Sequence, residues 1–276
     1  MTDRSILITG CSSGIGLVSA RMLQARGWRV FATARKPADD DRLAAEGLEA
    51  FRLDYADPAS IAEAAATALD RTDGRLFALF NNGAYGQPGA VEDLRTEVLR
   101  AEFEANFFGW HDLTCRLVPA MRRAGRGRIV QCSSVLGLVA MRYRGAYNAT
   151  KFALEGLTDT MRRELAGSGV HVATIQPGPI ATKFVENSIA AFRANVDAEN
   201  TPHRAAYAAR MAKLEAGGAK SFKLPPEAVV EKLIHALEAP RPRPHYYVTS
   251  ATWAMAVARR LLPVSLLDRL LERVDG

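Results

Sequence analysis

Two side chains four residues apart carry the most usable chemistry in this sequence: Tyr147 and Lys151, in the stretch Tyr147-Asn-Ala-Thr-Lys151. On a helix they share one face, one turn apart, near enough to interact. An ammonium held beside a phenol favours the phenolate and lowers a pKa that is about 10 when unperturbed. Tyr147 is therefore expected to give and take a proton near neutral pH. A Tyr-x-x-x-Lys spacing also arises on solvated helix faces, so its meaning depends on the motifs around it.

Ser5-Ile-Leu-Ile-Thr9 reads as a buried strand. The loop Gly10-Cys11-Ser12-Ser13-Gly14-Ile15-Gly16 follows, and then Leu17, Val18, Met22 and Leu23 at helical spacing. A strand, a glycine turn and a helix suit a dinucleotide. The glycines let the backbone approach a pyrophosphate, and the helix N-terminus offers free N–H groups. The Gly-xxx-Gly-x-Gly spacing differs from the commoner Gly-x-Gly-xx-Gly. A second predicted strand over Trp28–Thr33 runs into Ala34, Arg35 and Lys36. An acid at this point would bind the ribose 2′-hydroxyl of NAD, whereas an Arg suits the 2′-phosphate of NADP. The residues predict NADP(H).

Together these motifs resemble the short-chain dehydrogenase/reductase family in its compact single-domain branch, over most of the chain. Thr9-Gly10-Cys-Ser-Ser-Gly14-Ile-Gly16 is similar to its cofactor loop, and Asn81-Asn82-Gly83-Ala84 to its Asn-Asn-Ala-Gly motif with the last two residues inverted. The resemblance implies a catalytic tetrad of Asn106, Ser134, Tyr147 and Lys151. It also implies cofactor contacts at Asp54, Asn82, Gly83, Pro177, Gly178, Ile180 and Thr182, beside Gly10, Ser12, Ser13, Gly14, Ile15, Gly16, Arg35, Tyr147 and Lys151. Asp54 equally suits a turn before Asp57-Pro58. Thr150 stands where the family more often has Ser. In detail the chain is most similar to the hydroxysteroid, retinol and aldehyde reductase group.

The implied fold is α/β: a doubly wound, mostly parallel, seven-stranded Rossmann-type sheet with helices on both faces. Alternating strand and helix patterns agree, with strands expected at Ile6–Thr9, Arg29–Thr33, Glu49–Leu53, Leu76–Asn81, Gly127–Ser133, His171–Gln176 and His245–Thr249. A long helix is expected across residues 103–121, from Phe103, Phe107, Trp110, Leu117 and Met121 at steps of three, four and seven. A second stripe, Leu154, Leu157, Met161 and Leu165, follows Lys151. Residues 1–250 read as one NADP-binding catalytic domain with a substrate lid at about 182–225, and residues 251–276 as an apolar and basic helical extension.

The apolar content of 48% is ample for a core, and the net charge of +6 is scattered, without the basic and aromatic interleaving of nucleic-acid binders. Three cysteines, Cys11, Cys115 and Cys132, lack metal spacing, so reduced thiols in a cytoplasm and no bound metal are expected. No secretory leader pattern opens the chain. The family's dimer seam implies a homodimer or homotetramer. The extension, with Arg259, Arg260 and several leucines, suits a docked helix, a pocket cover, an oligomer contact or an amphipathic helix on a bilayer, which would make the protein membrane-peripheral.

The resemblance further implies that a carbonyl oxygen sits between Tyr147 and Ser134, with Lys151 on the nicotinamide ribose and Asn106 bracing a proton path by interrupting its helix. Ser133 and Ser134 point to opposite sides of a strand, and Ser134 matches the family position. The substrate walls expected are Tyr85, Leu136, Met141, Tyr143 and Phe184 beside Ser134, with Gln87, Val135 and Leu138. Such walls suit a small apolar aldehyde, ketone or alcohol, retinoid or steroid-like. Two alternatives remain: an epimerase or dehydratase of the extended branch, for which the chain is short, and a non-catalytic NADP-sensing protein, which would have lost tetrad positions.

Overall fold

The computed structural model describes residues 4–215 and 223–275. Seven parallel strands form one sheet: β1 (Ser5–Ile8), β2 (Arg29–Ala34), β3 (Glu49–Arg52), β4 (Ala78–Asn81), β5 (Gly127–Cys132), β6 (Val170–Gln176) and β7 (His245–Tyr247). Their order is β3-β2-β1-β4-β5-β6-β7. All seven expected strands are present, shifted at their ends by up to two residues. The central strands read as unbroken apolar runs because helices cover both faces, and Ile6, Leu7, Ile8, Leu79 and Phe80 are fully buried. The order reverses between β1 and β4, which opens a crevice at the carboxyl ends of the strands, the usual place for a ligand in an open α/β sheet.

Helices α1 (Gly14–Ala25), α2 (Pro37–Ala45) and α3 (Pro58–Asp70) connect the first four strands. The helix expected across residues 103–121 is three pieces. Helix α4 (Thr96–Phe103) passes into a π-helical turn over Glu104–Phe108, and α5 (Gly109–Arg123) continues from it. The turn inserts one extra residue, and Phe103 before it and Phe107 within it are only half-buried whereas Trp110, Leu117 and Met121 after it are buried. Such turns concentrate at functional positions, and this one is centred on buried Asn106.

Helix α6 (Gly145–Glu164) carries Tyr147 and Lys151. The expected lid contains α7 (Phe184–Asn195) and α8 (Arg204–Glu215), and its residues 216–222 lie outside the described residues. Its base is pinned where Ile180 pairs with Leu224. Helix α9 (Glu227–Glu238) returns to β7. The C-terminal segment is a hairpin of α10 (Ser250–Leu261) and α11 (Val264–Asp275), whose Leu267 and Leu271 pack on Val139. Among the described residues no helix is long and apolar enough to cross a membrane.

Candidate active site

The phosphate loop is shaped by contacts that leave no room for side chains. A Cβ on Gly16 would stand 2.3 Å from the Gly10 oxygen, and one on Gly10, whose φ is +69°, would stand 2.5 Å from Gly83 Cα. Ser13 N-caps α1 without a side-chain bond, so the first N–H groups of that helix stay available to an anion. Thr9 holds the neighbouring strand end in place: its hydroxyl accepts from the N–H groups of Asn82 (2.8 Å) and Gly83 (3.1 Å). The Asn82 amide donates to the Thr9 carbonyl at 2.9 Å, bracing the loop. At the inverted Gly83-Ala84 pair, a Cβ on residue 83 would stand 3.2 Å from Gly10 N, a tight approach, while Ala84 packs partly on the core. Thr182 reaches over the loop, its Cγ2 3.0 Å from where a Gly14 Cβ would be. A dinucleotide pyrophosphate fits this cradle.

Beside the cradle, Ala34 ends β2 buried, while Arg35 and Lys36 are exposed. Arg42, which the sequence reading passed over, donates from its guanidinium to the Ser12 carbonyl at 2.7 Å and adds a third cation here. Asp54 accepts from Ala56 N–H at 3.1 Å, the turn arrangement that its sequence context equally suited. Pro177 accepts from Val135 N–H at 2.8 Å, and Gly178 admits the Thr249 hydroxyl, 2.3 Å from its would-be Cβ. The Cys11 thiol donates to the Ile8 carbonyl, and burial pushes it up to about 12, so it is an inert core group.

At the end of β5, Ser134 N-caps a short 3-10 turn (Val135–Gly137), and its hydroxyl lies beside the Tyr147 phenol. Ser133 lies buried on the other side. The Tyr147 ring meets Phe184 edge-on at 5.3 Å, and Phe184 in turn lies against Gly86. The Lys151 ammonium is buried, donates to the Cys132 carbonyl at 2.9 Å and sits 4.2 Å above the Trp110 ring. The Tyr147 ring is farther, at 5.5 Å. Trp110, buried in the core, also fixes Gly83 by donating its indole N–H to the Gly83 carbonyl at 2.9 Å. Thr150 bonds back to the Tyr147 carbonyl at 2.9 Å.

The electrostatics here differ from the expectation that Lys151 would lower the Tyr147 pKa. Burial holds the phenol well above its ordinary value, with the Cys132 and Glu102 charges acting in the same direction and Ser134 against it. Burial also lowers Lys151 to about 8. In a dry site desolvation of the charged form outweighs a cation several ångströms away. Tyr147 is thus held in its protonated form.

Asn106 clasps the loop after β4 with both ends of its amide. It accepts from Tyr85 N–H (3.2 Å) and donates to the Tyr85 carbonyl (2.7 Å). Tyr85, half-buried, is pushed up to about 12 by burial. Leu136 donates its N–H to Ser134, and the Met141 carbonyl accepts from Asn148 at 3.1 Å. Tyr143 is turned elsewhere than the expected wall. Its φ is +59°, and its ring packs against His203 and Tyr207 of the lid, where aromatic partners are available. Val135 likewise packs toward the α10–α11 hairpin. Among the described residues no cluster could hold a metal ion.

The family profile described as short chain dehydrogenase matches residues 4–191. The uncharacterized oxidoreductase YbbO of Escherichia coli (strain K12) is 42% identical over 98% of this chain and 94% of its own length. Human 17-beta-hydroxysteroid dehydrogenase type 1 is 34% identical over 90% of this chain and 78% of its own. A short-chain dehydrogenase from Streptomyces avermitilis superposes with a TM-score of 0.80 at 30% identity, covering 99% of this chain and 96% of its own. The strand–glycine–helix cradle and the tetrad positions thus sit within a likeness that runs the length of the chain, which belongs to the short-chain dehydrogenase/reductase family of oxidoreductases.

Proposed function

We propose that this protein is an NADP(H)-dependent oxidoreductase that interconverts an apolar carbonyl compound and its alcohol. The observation that carries this reading is the buried Tyr147 phenol, one helical turn from the buried Lys151 ammonium and faced by the Phe184 ring. When bound, the dinucleotide supplies or accepts a hydride. Ser134 and Tyr147 bond the substrate oxygen, and Tyr147 passes its phenol proton to that oxygen as negative charge develops on it. The buried Lys151 ammonium answers the charge left on the phenol. Arg35, Lys36 and Arg42 favour the 2′-phosphate, with no acid at Ala34 to compete for a bare ribose.

Phe184, Leu136 and Met141 give the site an apolar wall, in keeping with the likeness to a hydroxysteroid dehydrogenase. The cluster of Phe103, Phe107 and Phe108, the last 48% exposed, suits the seam of a homodimer. The buried free thiols of Cys11 and Cys132 suit a reducing cytoplasm. NADPH consumption against a panel of aldehydes, ketones and sterols tests the reading. The expected result is turnover of apolar carbonyls with NADPH preferred. No turnover with any of them, together with intact NADPH binding, would replace it with a cofactor-sensing role.

A further inference from the structure

One carboxyl in this region has no use in the reaction described above. Glu102, in the last turn of α4, is fully buried. Its Oε1 accepts from Gln87 N–H at 3.0 Å and from the Asn106 amide at 3.4 Å, while its Oε2 is buried with no partner. Gln87 continues the network into the lid, its side-chain oxygen accepting from Asn195 of α7 at 2.8 Å. The charged and titratable groups facing Glu102 are Lys151 and Tyr147 on α6, Arg144 at the start of that helix, and Tyr85 on the loop after β4. A carboxylate with one bare oxygen in a dry cavity is disfavoured unless a cation compensates. Burial raises Glu102 to about 8, with Lys151 and Arg144 opposing.

We propose that Glu102 is a positioning residue of the proton transfer: it holds the Asn106 clasp, and the gain or loss of its own proton sets how readily Tyr147 ionises. The inference rests on the function proposed above. Neutral Glu102 leaves the site's charge to Lys151. Ionised Glu102 puts a negative charge near Tyr147 and opposes the phenolate that alcohol oxidation requires. The acid therefore restrains the oxidative direction as pH rises.

Glu102→Gln keeps an acceptor oxygen toward Gln87 and Asn106 but cannot ionise. Its alkaline rise in kcat/KM for alcohol oxidation is expected to move down by about half a unit to one pH unit, with NADPH affinity unchanged within about twofold. A profile coincident with that of the wild type overturns the proposal. A second readout needs no turnover. The infrared C=O stretch of a protonated carboxyl should disappear between pH 6 and pH 9.5 in the cofactor-free wild type, and the difference from Glu102→Gln isolates it from Glu155, which is partly buried and also raised. Absence of that difference band overturns the proposal. Absence of any oxidoreductase activity in the wild type overturns the proposed function instead, leaving the infrared result to decide whether Glu102 holds a proton.

Discussion

The Lys151 ammonium donates to the main-chain oxygen of Cys132 across 2.9 Å, tying the helix that carries Tyr147 to the end of β5. This bond and the Trp110 face beneath it partly offset the removal of a charge from water. The remainder shows as a pKa depressed from 10.5 to about 8.

That depression makes Lys151 a stability liability. Between about 8 and 10.5 the unfolded chain holds more protons than the folded one at this site, so its contribution to stability rises with pH across that window. Below it the charged lysine stays buried at full cost. Lys151→Met is therefore expected to unfold later than the wild type at neutral pH, by about 2–3 kcal/mol, while losing turnover. Denaturant melts of both proteins at several pH values check this. The gap should close toward pH 10.5, and a constant gap would contradict the assignment.

Tyr147→Phe keeps the ring that packs on Phe184 and removes the proton. Turnover should fall by about 10²–10⁴-fold. NADPH affinity, read from cofactor fluorescence, should change little. Loss of binding and turnover together would mean that the phenol is structural.

Arg35 and Arg42 are the side chains to test for cofactor choice. Each charge-assisted bond to a phosphate is worth roughly 1.5–3 kcal/mol, so Arg35→Ala should reduce the preference for NADPH over NADH by about 10–100-fold. Arg42→Ala should do so less, because that guanidinium also pairs with Asp39 at 3.0 Å. Parallel kcat/KM measurements with both cofactors decide it, and an unchanged ratio in both variants would favour NAD.

Gly16→Ala is a steric test of the cradle. The new methyl would meet the Gly10 oxygen at 2.3 Å, so the loop must open and the anion site with it. NADPH affinity should drop by at least about tenfold, with the rest of the fold retained by circular dichroism.

Much of this architecture is legible in the chain because its signals are local. Ser5-Ile-Leu-Ile followed by Gly10, Gly14 and Gly16 is a contiguous pattern, and the tetrad sits at fixed offsets from strands that can be read one at a time. What escapes reading depends on contacts distant in sequence. The π-turn adds one residue inside a helix whose sequence shows an ordinary apolar stripe, so the spacing of Phe103, Phe107 and Trp110 does not reveal it. Glu102 looks like Glu97 and Glu104, acids on an ordinary surface helix, until the fold buries it. Arg42 meets Ser12 thirty residues away. The raised Tyr147 pKa is not legible either, because a Tyr–Lys spacing says nothing about how dry the site is.

The packing of Tyr143 against His203 and Tyr207 has a mechanical consequence. Tyr207 of α8 bonds Asp93 and packs on Tyr143, and Tyr143 immediately precedes the first turn of α6 through Arg144. The α8 helix and the start of α6 are therefore coupled through one aromatic cluster. A shift of α8 would be felt at Tyr143 and so at the first turn of α6, which ties the placement of residues 184–215 to the helix that carries Tyr147.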